Sequence, residues 1–181
     1  MNVFELQILD FIRNTFACPV LDFLMPLITK LGDHGIFCIA VALLLICFKK
    51  TRKTGITIGV SLAIGFLVGN IFLKNVVGRI RPYDLNPNVD LLIAKLHDFS
   101  FPSGHTLACF ETAGAIFLNN KKFGVAALIL ATLVAFSRLY LYVHYPTDVL
   151  AGIVLGVGFA LLANLLVNKA YEKINNKKPK V

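Results

Sequence analysis

The chain has 181 residues, the length of one domain, and 57% of them are hydrophobic while only 15% are charged. Soluble domains carry about 25% charge, so this composition, with a mean hydropathy of +0.75, excludes a water-soluble surface and predicts an integral membrane protein. The net charge of +8 does not indicate nucleic acid, because the positives punctuate apolar runs and form no basic stripe interleaved with aromatics.

In chain order, residues 1 to 14 (MNVFELQILDFIRN) place Phe4, Ile8, Phe11 and Ile12 against Glu5, Asp10 and Arg13 at helical spacing. This predicts an amphipathic helix lying at a membrane interface, not a signal peptide, since no clean apolar core or small-residue cleavage site is present. Six apolar runs follow, and each is read as a helix because the bilayer core offers backbone groups no water. They cover about 16 to 31, 35 to 48, 55 to 74, 105 to 118, 123 to 143 and 147 to 168. The first is interrupted by Pro19, Asp22 and Pro26, and several fall short of the ~20 residues of a straight span. The fold class expected is all-α: a polytopic membrane protein with six transmembrane helices plus the N-terminal interfacial helix, forming one domain over 1 to 181.

Six spans put both termini on one side, together with KKTRK (49 to 53), NNKK (119 to 122) and a basic tail over 169 to 181. The positive-inside rule places that side in the cytoplasm. The opposite side then carries LGDHG (31 to 35), a polar loop over 75 to 102 and VHYPTD (143 to 148). Nearly every residue with chemical potential lies there. The cysteines (Cys18, Cys38, Cys47, Cys109) have no metal-ligand or redox spacing and read as small buried hydrophobes.

Three stretches on that side stand out. In KNVVGRIRP (74 to 82), Lys74, Arg79 and Arg81 are cations where the positive-inside rule disfavours them. Lysine snorkelling would explain one of them. Arg81 also precedes Pro82, which biases its backbone towards extended geometry, and a lysine with a planar guanidinium fork suits phosphate oxygens. In FPSGHT (101 to 106), Ser103 stands where a helix N-cap would be, and Gly104 allows a ligand to approach the backbone. In SRLYLYVHYPTD (137 to 148), Arg138 ends the fifth run and Pro146 suits a first helical turn, so Asp148 reaches back towards His144. Such a carboxylate fixes the imidazole tautomer, as an activated nucleophile or general base requires. Read singly, each stretch also fits a cap or a head-group contact. Together they offer three anion-binding cations, a helix N-terminus and two histidines, which is what phosphoryl transfer asks for. No acidic cluster suggests a divalent metal, so no metal or other cofactor is expected.

These stretches, K-x6-R-P, P-S-G-H and S-R-x5-H-x3-D, resemble the tripartite signature of the type-2 phosphatidic acid phosphatase superfamily, with every signature position filled between Lys74 and Asp148. The resemblance is greatest to the small bacterial membrane lipid phosphatases. It implies a metal-independent phosphatase that cleaves a lipid phosphate or diphosphate (undecaprenyl pyrophosphate, phosphatidylglycerol phosphate or phosphatidic acid) at the outer leaflet. By that resemblance His144 is the nucleophile and forms a phosphohistidine, Asp148 raises its nucleophilicity, and His105 protonates the leaving oxygen. Lys74, Arg81 and Arg138 clamp the phosphate, with the Ser103 hydroxyl and Gly104 amide completing the cradle. The partners expected are the lipid substrate and the bilayer, with no nucleic acid and no protein partner. A phosphotransferase using the same phosphohistidine, or a non-enzymatic anion or lipid transporter, are the alternatives; the transporter needs neither His105 nor the His144–Asp148 pair. Haloperoxidase chemistry fits less well with a membrane composition.

Outside the signature, Glu111 sits inside the fourth run as an ionisable group in the bilayer, read as a structural partner. Asn70 precedes Lys74 by one turn and is read as orienting it or as an interhelical hydrogen-bonder. Tyr83, His97, Asp98, Asp33 and His34 read as solvated loop residues. Gly59, Gly65, Gly69, Gly152, Gly156 and Gly158 read as close-packing positions.

Overall fold

The structure, a computed structural model, describes residues 3–86 and 88–176, and within them every regular element is a helix. The chain runs through α1 (Val3–Phe16), α2 (Pro19–Thr29), a 3-10 turn (Lys30–Gly35), α3 (Ile36–Cys47) and α4 (Arg52–Gly65). Helix α4 passes without a break through a π-helical stretch (Phe66–Leu73) into α5 (Lys74–Val77). Then follow α6 (Pro82–Leu85), a long connection, α7 (Gly104–Asn119), α8 (Lys121–Tyr140) and α9 (Pro146–Asn176). Of the basic tail expected over 169 to 181, the part to Asn176 continues α9, and 177–181 lie outside the described residues, as do residues 1 and 2 of the expected N-terminal helix.

Among the described residues, four helical stretches are long and apolar enough to cross a membrane: Pro19–Cys47, Arg52–Leu85, Lys121–Tyr140 and Pro146–Asn176. Their outward faces carry Leu44, Leu67, Phe72, Ile129, Val154 and Leu165, all exposed, as lipid-facing surfaces are. Helix α7, 16 residues long, runs through the middle of the bundle between α4, α8 and α9, with Thr106, Leu107 and Cys109 to Ala115 buried. Its contact with α9 is backbone-close: a Cβ on Gly152 would stand 3.0 Å from Ser103 O, and one on Gly156 would stand 2.8 Å from Leu107 O. Gly65 and Gly69 are equally confined, whereas Gly59 and Gly158 face open space, so the packing role expected of all six holds for four.

The span expected over 16 to 31 takes a different course. Helix α2 covers 11 residues, about 16 Å, and lies across one end of the bundle. Leu21, Met25 and Ile28, spread over its length, all pack on one cluster built from Tyr140, Leu141, Tyr142, Val143 and Tyr145. Helix α1 joins the same cluster through Leu9 and Ile12. After α2 the chain turns at Asp33 and His34, whose backbone angles are not helical, and only α3 runs away from that end. Against the six spans expected, four helical stretches among the described residues have the length and apolarity to cross a membrane, and α7 lies inside the bundle. Asp22 and Thr29 tie α2 to this end through Tyr140 and Arg138. On α1 Glu5 is buried beside Leu9 and Ile12 at 3% exposed, while Phe4 on the other side is 70% exposed.

Candidate active site

The three motif stretches meet at the end of the bundle covered by α1 and α2. Lys74 opens α5, which stops at Gly78, where φ of 57° allows the chain to leave the helix and return an N–H to Lys74 O. Arg81 then takes the extended conformation that Pro82 favours (φ −76°, ψ 153°). Ser103 occupies the N-cap of α7 without spending its hydroxyl on the cap, and receives a hydrogen bond from Thr106 Oγ1 at 3.0 Å. Ser103 N donates to Asp148 O (3.1 Å), which ties the start of α7 to the start of α9.

His144 lies in the connection between α8 and α9, fully enclosed. Its Nδ1 stands 3.5 Å from Asp148 Oδ2 and 3.4 Å from Ser100 Oγ, and its Nε2 stands 3.3 Å from Arg81 Nη1. Asp148 is completely buried and fully engaged: Oδ2 accepts from Ser100 Oγ (2.5 Å) and Tyr145 N (2.9 Å), and Oδ1 accepts from Arg79 Nη1 (2.6 Å). An acceptor at Nδ1 makes that nitrogen the donor and leaves the Nε2 lone pair facing the cations. Burial, and then the charges of Arg138, Arg81 and Lys74, hold the His144 ring well below the ordinary imidazole pKa, so it is neutral.

Two of the cations are paired by one loop carboxylate. Asp98 Oδ1 accepts from Arg81 Nη2 (2.6 Å), and Oδ2 pairs with Lys74 Nζ. Arg81 also donates from Nε to Asp98 O (2.8 Å) and from Nη1 to Val143 O (2.7 Å). Burial alone would raise the Asp98 carboxyl, but Lys74 and Arg81 hold it down at about 2. Arg138 differs. It is 1% exposed, its Nη1 donates to Thr29 Oγ1, and its Nε and Nη2 have no hydrogen-bond partner among the described residues. Buried guanidinium N–H groups left unspent are costly unless something that is not protein meets them.

His105, at the start of α7, pairs its Nε2 with Asp33 Oδ1 at 2.8 Å. Gly32 makes that approach possible, since a Cβ there would fall 2.5 Å from the His105 ring. A cavity of about 990 Å³ joins these groups: His105, His144, Arg138, Arg81 and Lys74 line its polar end. Ile39, Leu43, Ile46, Leu62 and Phe66 line an apolar extension between α3 and α4. Glu111 lies on the wall of that extension and accepts from Ser61 Oγ at 3.3 Å.

All eight residues singled out from the motifs are thus gathered here: Lys74, Arg81, Ser103, Gly104, His105, Arg138, His144 and Asp148. Sequence reasoning missed four others. Arg79 stands between two motif cations in the sequence and fixes Asp148. Ser100 shares Asp148 with His144. Asp98 and Asp33, read as solvated, touch Lys74, Arg81 and His105. The signal for both aspartates was their place in the two loops on the motif side. Asn70 does not touch Lys74 in any recorded hydrogen bond; its amide oxygen lies where a Cβ on Gly104 would be, at 2.7 Å.

Comparison with known proteins shows what the whole chain is similar to. A sequence model described as the PAP2 superfamily matches residues 54–172. An undecaprenyl-diphosphatase of Sulfolobus acidocaldarius is 38% identical over 151 residues, covering 83% of this chain and 72% of that protein. The undecaprenyl-diphosphatase BcrC of Bacillus subtilis is 33% identical over 168 residues, covering 87% of this chain and 86% of its own. The crystal structure of a transmembrane PAP2 type phosphatidylglycerolphosphate phosphatase from Bacillus subtilis superimposes with a TM-score of 0.71 and 27% identity, over 96% of this chain and 87% of that one.

Proposed function

The chain belongs to the PAP2 superfamily, and from that premise we propose that it is a membrane phosphatase that hydrolyses a lipid phosphate or diphosphate through a phosphohistidine on His144. The observation that carries this reading is Arg138, whose buried, unspent N–H groups share one cavity with His144, His105 and an apolar groove. An anion with a hydrocarbon tail satisfies both ends of such a cavity.

In the proposed reaction Lys74, Arg81 and Arg138 hold the non-bridging oxygens, with Ser103 and the Gly104 amide beside them. His144 Nε2 attacks phosphorus, and the bond from phosphorus to the bridging oxygen breaks. His105 gives its proton to that oxygen, releasing the lipid alcohol or lipid monophosphate. Water then attacks phosphorus while His105 takes its proton, and the phosphorus–nitrogen bond breaks with its electron pair returning to His144 Nε2, so inorganic phosphate leaves and both rings are restored. Asp148 steadies the positive charge that His144 gains. The charges that offset the phosphate are side-chain cations, and among the described residues no three His, Cys, Asp or Glu side chains stand together to hold a metal ion. Metal independence is part of this reading.

The relatives named as acting on undecaprenyl diphosphate make a polyprenyl diphosphate the first substrate to test, with phosphatidylglycerol phosphate second. The basic segments at 49 to 53 and 119 to 122 lie at the end of the bundle away from the site. The positive-inside rule then sets the site towards the outer leaflet. Purified protein in detergent with a chelator is expected to release phosphate from these lipids, and His144→Ala is expected to lose release by at least about 10⁴-fold. Release abolished by the chelator, or retained by His144→Ala, contradicts the reading.

A further inference from the structure

Helix α1 does more than cover the site. Three of its polar residues reach the segment that bears His144. Asp10 Oδ1 accepts from Tyr142 OH (2.8 Å), and Arg13 Nη1 donates to Tyr140 O (3.4 Å). Glu5 Oε1 accepts from Thr147 N (3.0 Å) and from Thr147 Oγ1 (2.6 Å) in the first turn of α9. Tyr142 has φ of 60°, a left-handed conformation that is strained for a non-glycine residue and persists only where its surroundings hold it. Its ring is held by Asp10.

The strongest link runs through Arg79. One guanidinium nitrogen donates to Asp148 Oδ1 (2.6 Å) and to Thr147 Oγ1 (2.7 Å), and the other pairs with Glu5 Oε2. The guanidinium lies over the Tyr145 ring, 3.8 Å from its centroid. Arg79 is therefore a fork with one carboxylate on each tine, both buried, where charge-assisted bonds are stronger than in water. Burial alone would raise the Glu5 carboxyl, yet the Thr147 and Arg79 hydrogen bonds bring it below its ordinary value. Without Glu5, the second tine loses its carboxylate, and Asp148 alone would face the full Arg79 charge. Both effects weaken what Asp148 does for His144.

We propose that Glu5 is a positioning residue for the reaction: through Arg79 and Thr147 it holds the Asp148 carboxylate and the His144 segment in the geometry of attack. Helix α1 is then a working part of the phosphatase rather than an anchor, with Phe4 and Phe11 turned outward on its other side. This rests on the phosphohistidine reading above.

The test is steady-state kinetics of Glu5→Gln on a polyprenyl diphosphate in detergent, beside wild type, Arg79→Met and the double variant. Glu5→Gln keeps the length and the acceptor for Thr147 but removes the charge that Arg79 grips. The expected result is a kcat lower by about 10- to 100-fold with KM changed less than about twofold. In the Arg79→Met background the same change is expected to add nothing. A wild-type kcat for Glu5→Gln, or losses that multiply in the double variant, overturns the proposal. Should Glu5→Gln not fold, Arg79→Lys replaces it: a point charge does not hold both carboxylates, so kcat is expected to fall with KM unchanged, and full kcat overturns the proposal. A wild-type protein inactive on every lipid phosphate fails the phosphatase reading itself, a different outcome.

Discussion

The two ends of the bundle carry similar numbers of cations and use them in opposite ways. At the far end, Arg52 Nε donates to Ile46 O (3.1 Å), Lys53 sits 6.0 Å from the Tyr171 ring centroid, and Lys121 sits 3.9 Å from that of Phe117. These contacts finish helix ends and leave the ammonium groups in reach of water. At the site end Lys74, Arg79 and Arg81 are each met by a carboxylate, and Arg138 is buried with N–H groups to spare. The same residue types act as surface charge in one place and as a charged cradle in the other. Burial makes the difference, because a desolvated cation binds an anion far more strongly than a hydrated one.

The contrast is broken most forcefully at Arg138. Arg138→Ala is expected to lower turnover on the order of 10²-fold or more, and Arg138→Lys not to restore it, because the planar fork is what fits phosphate oxygens. Steady-state assays on a lipid phosphate check both variants. Asp98→Asn sharpens the contrast from the other side. Its carboxylate is half exposed and neutralises Lys74 and Arg81 when no anion is bound, so removing the charge is expected to tighten inhibition by inorganic phosphate about two- to fivefold. Weaker inhibition instead assigns Asp98 to holding the cations in place.

The pH dependence follows from the same burial. Burial and three neighbouring cations disfavour the protonated ring of His144, so it is neutral at pH 7 and gains a proton only well below the ordinary value of about 6.5. Site-specific carbon-13 NMR of His144 in the free protein is expected to show no titration between pH 6.5 and 8. A midpoint at or above 6.5 contradicts it. The smallest effect belongs to the far end, where Lys122→Ala is expected to leave turnover within about twofold of wild type.

Much of the site was legible because its chemistry is written in short spacings. His144 and Asp148 are one helical turn apart, Arg81 is set by its proline, and Ser103 to His105 open a helix, so local rules suffice for them. Asp33, Asp98 and Arg79 were not legible in this way. Each acts across a distance in sequence, on His105, on Lys74 and Arg81, and on Asp148, and nothing local distinguishes them from solvated loop charges. The helices of the bundle followed from hydropathy. The fate of 16 to 31 did not, because hydropathy measures whether a run prefers lipid and not whether Asp22 and Thr29 find Tyr140 and Arg138 at one end of the bundle. Helix α1 was read with the correct period, but its burial of Glu5 was not legible, since that residue has an ion-pair partner that only folding supplies.

The central claim is that His144 carries the phosphoryl group. Acid-stable groups are not expected on this nitrogen, so the direct measurement is a rapid quench into alkali during turnover of a polyprenyl diphosphate labelled with phosphorus-32 at its terminal phosphate. The account predicts a labelled protein that is stable to alkali, releases its label in acid, and disappears in His144→Ala. Steady turnover with no labelled protein in wild type, or label that persists in His144→Ala, contradicts it.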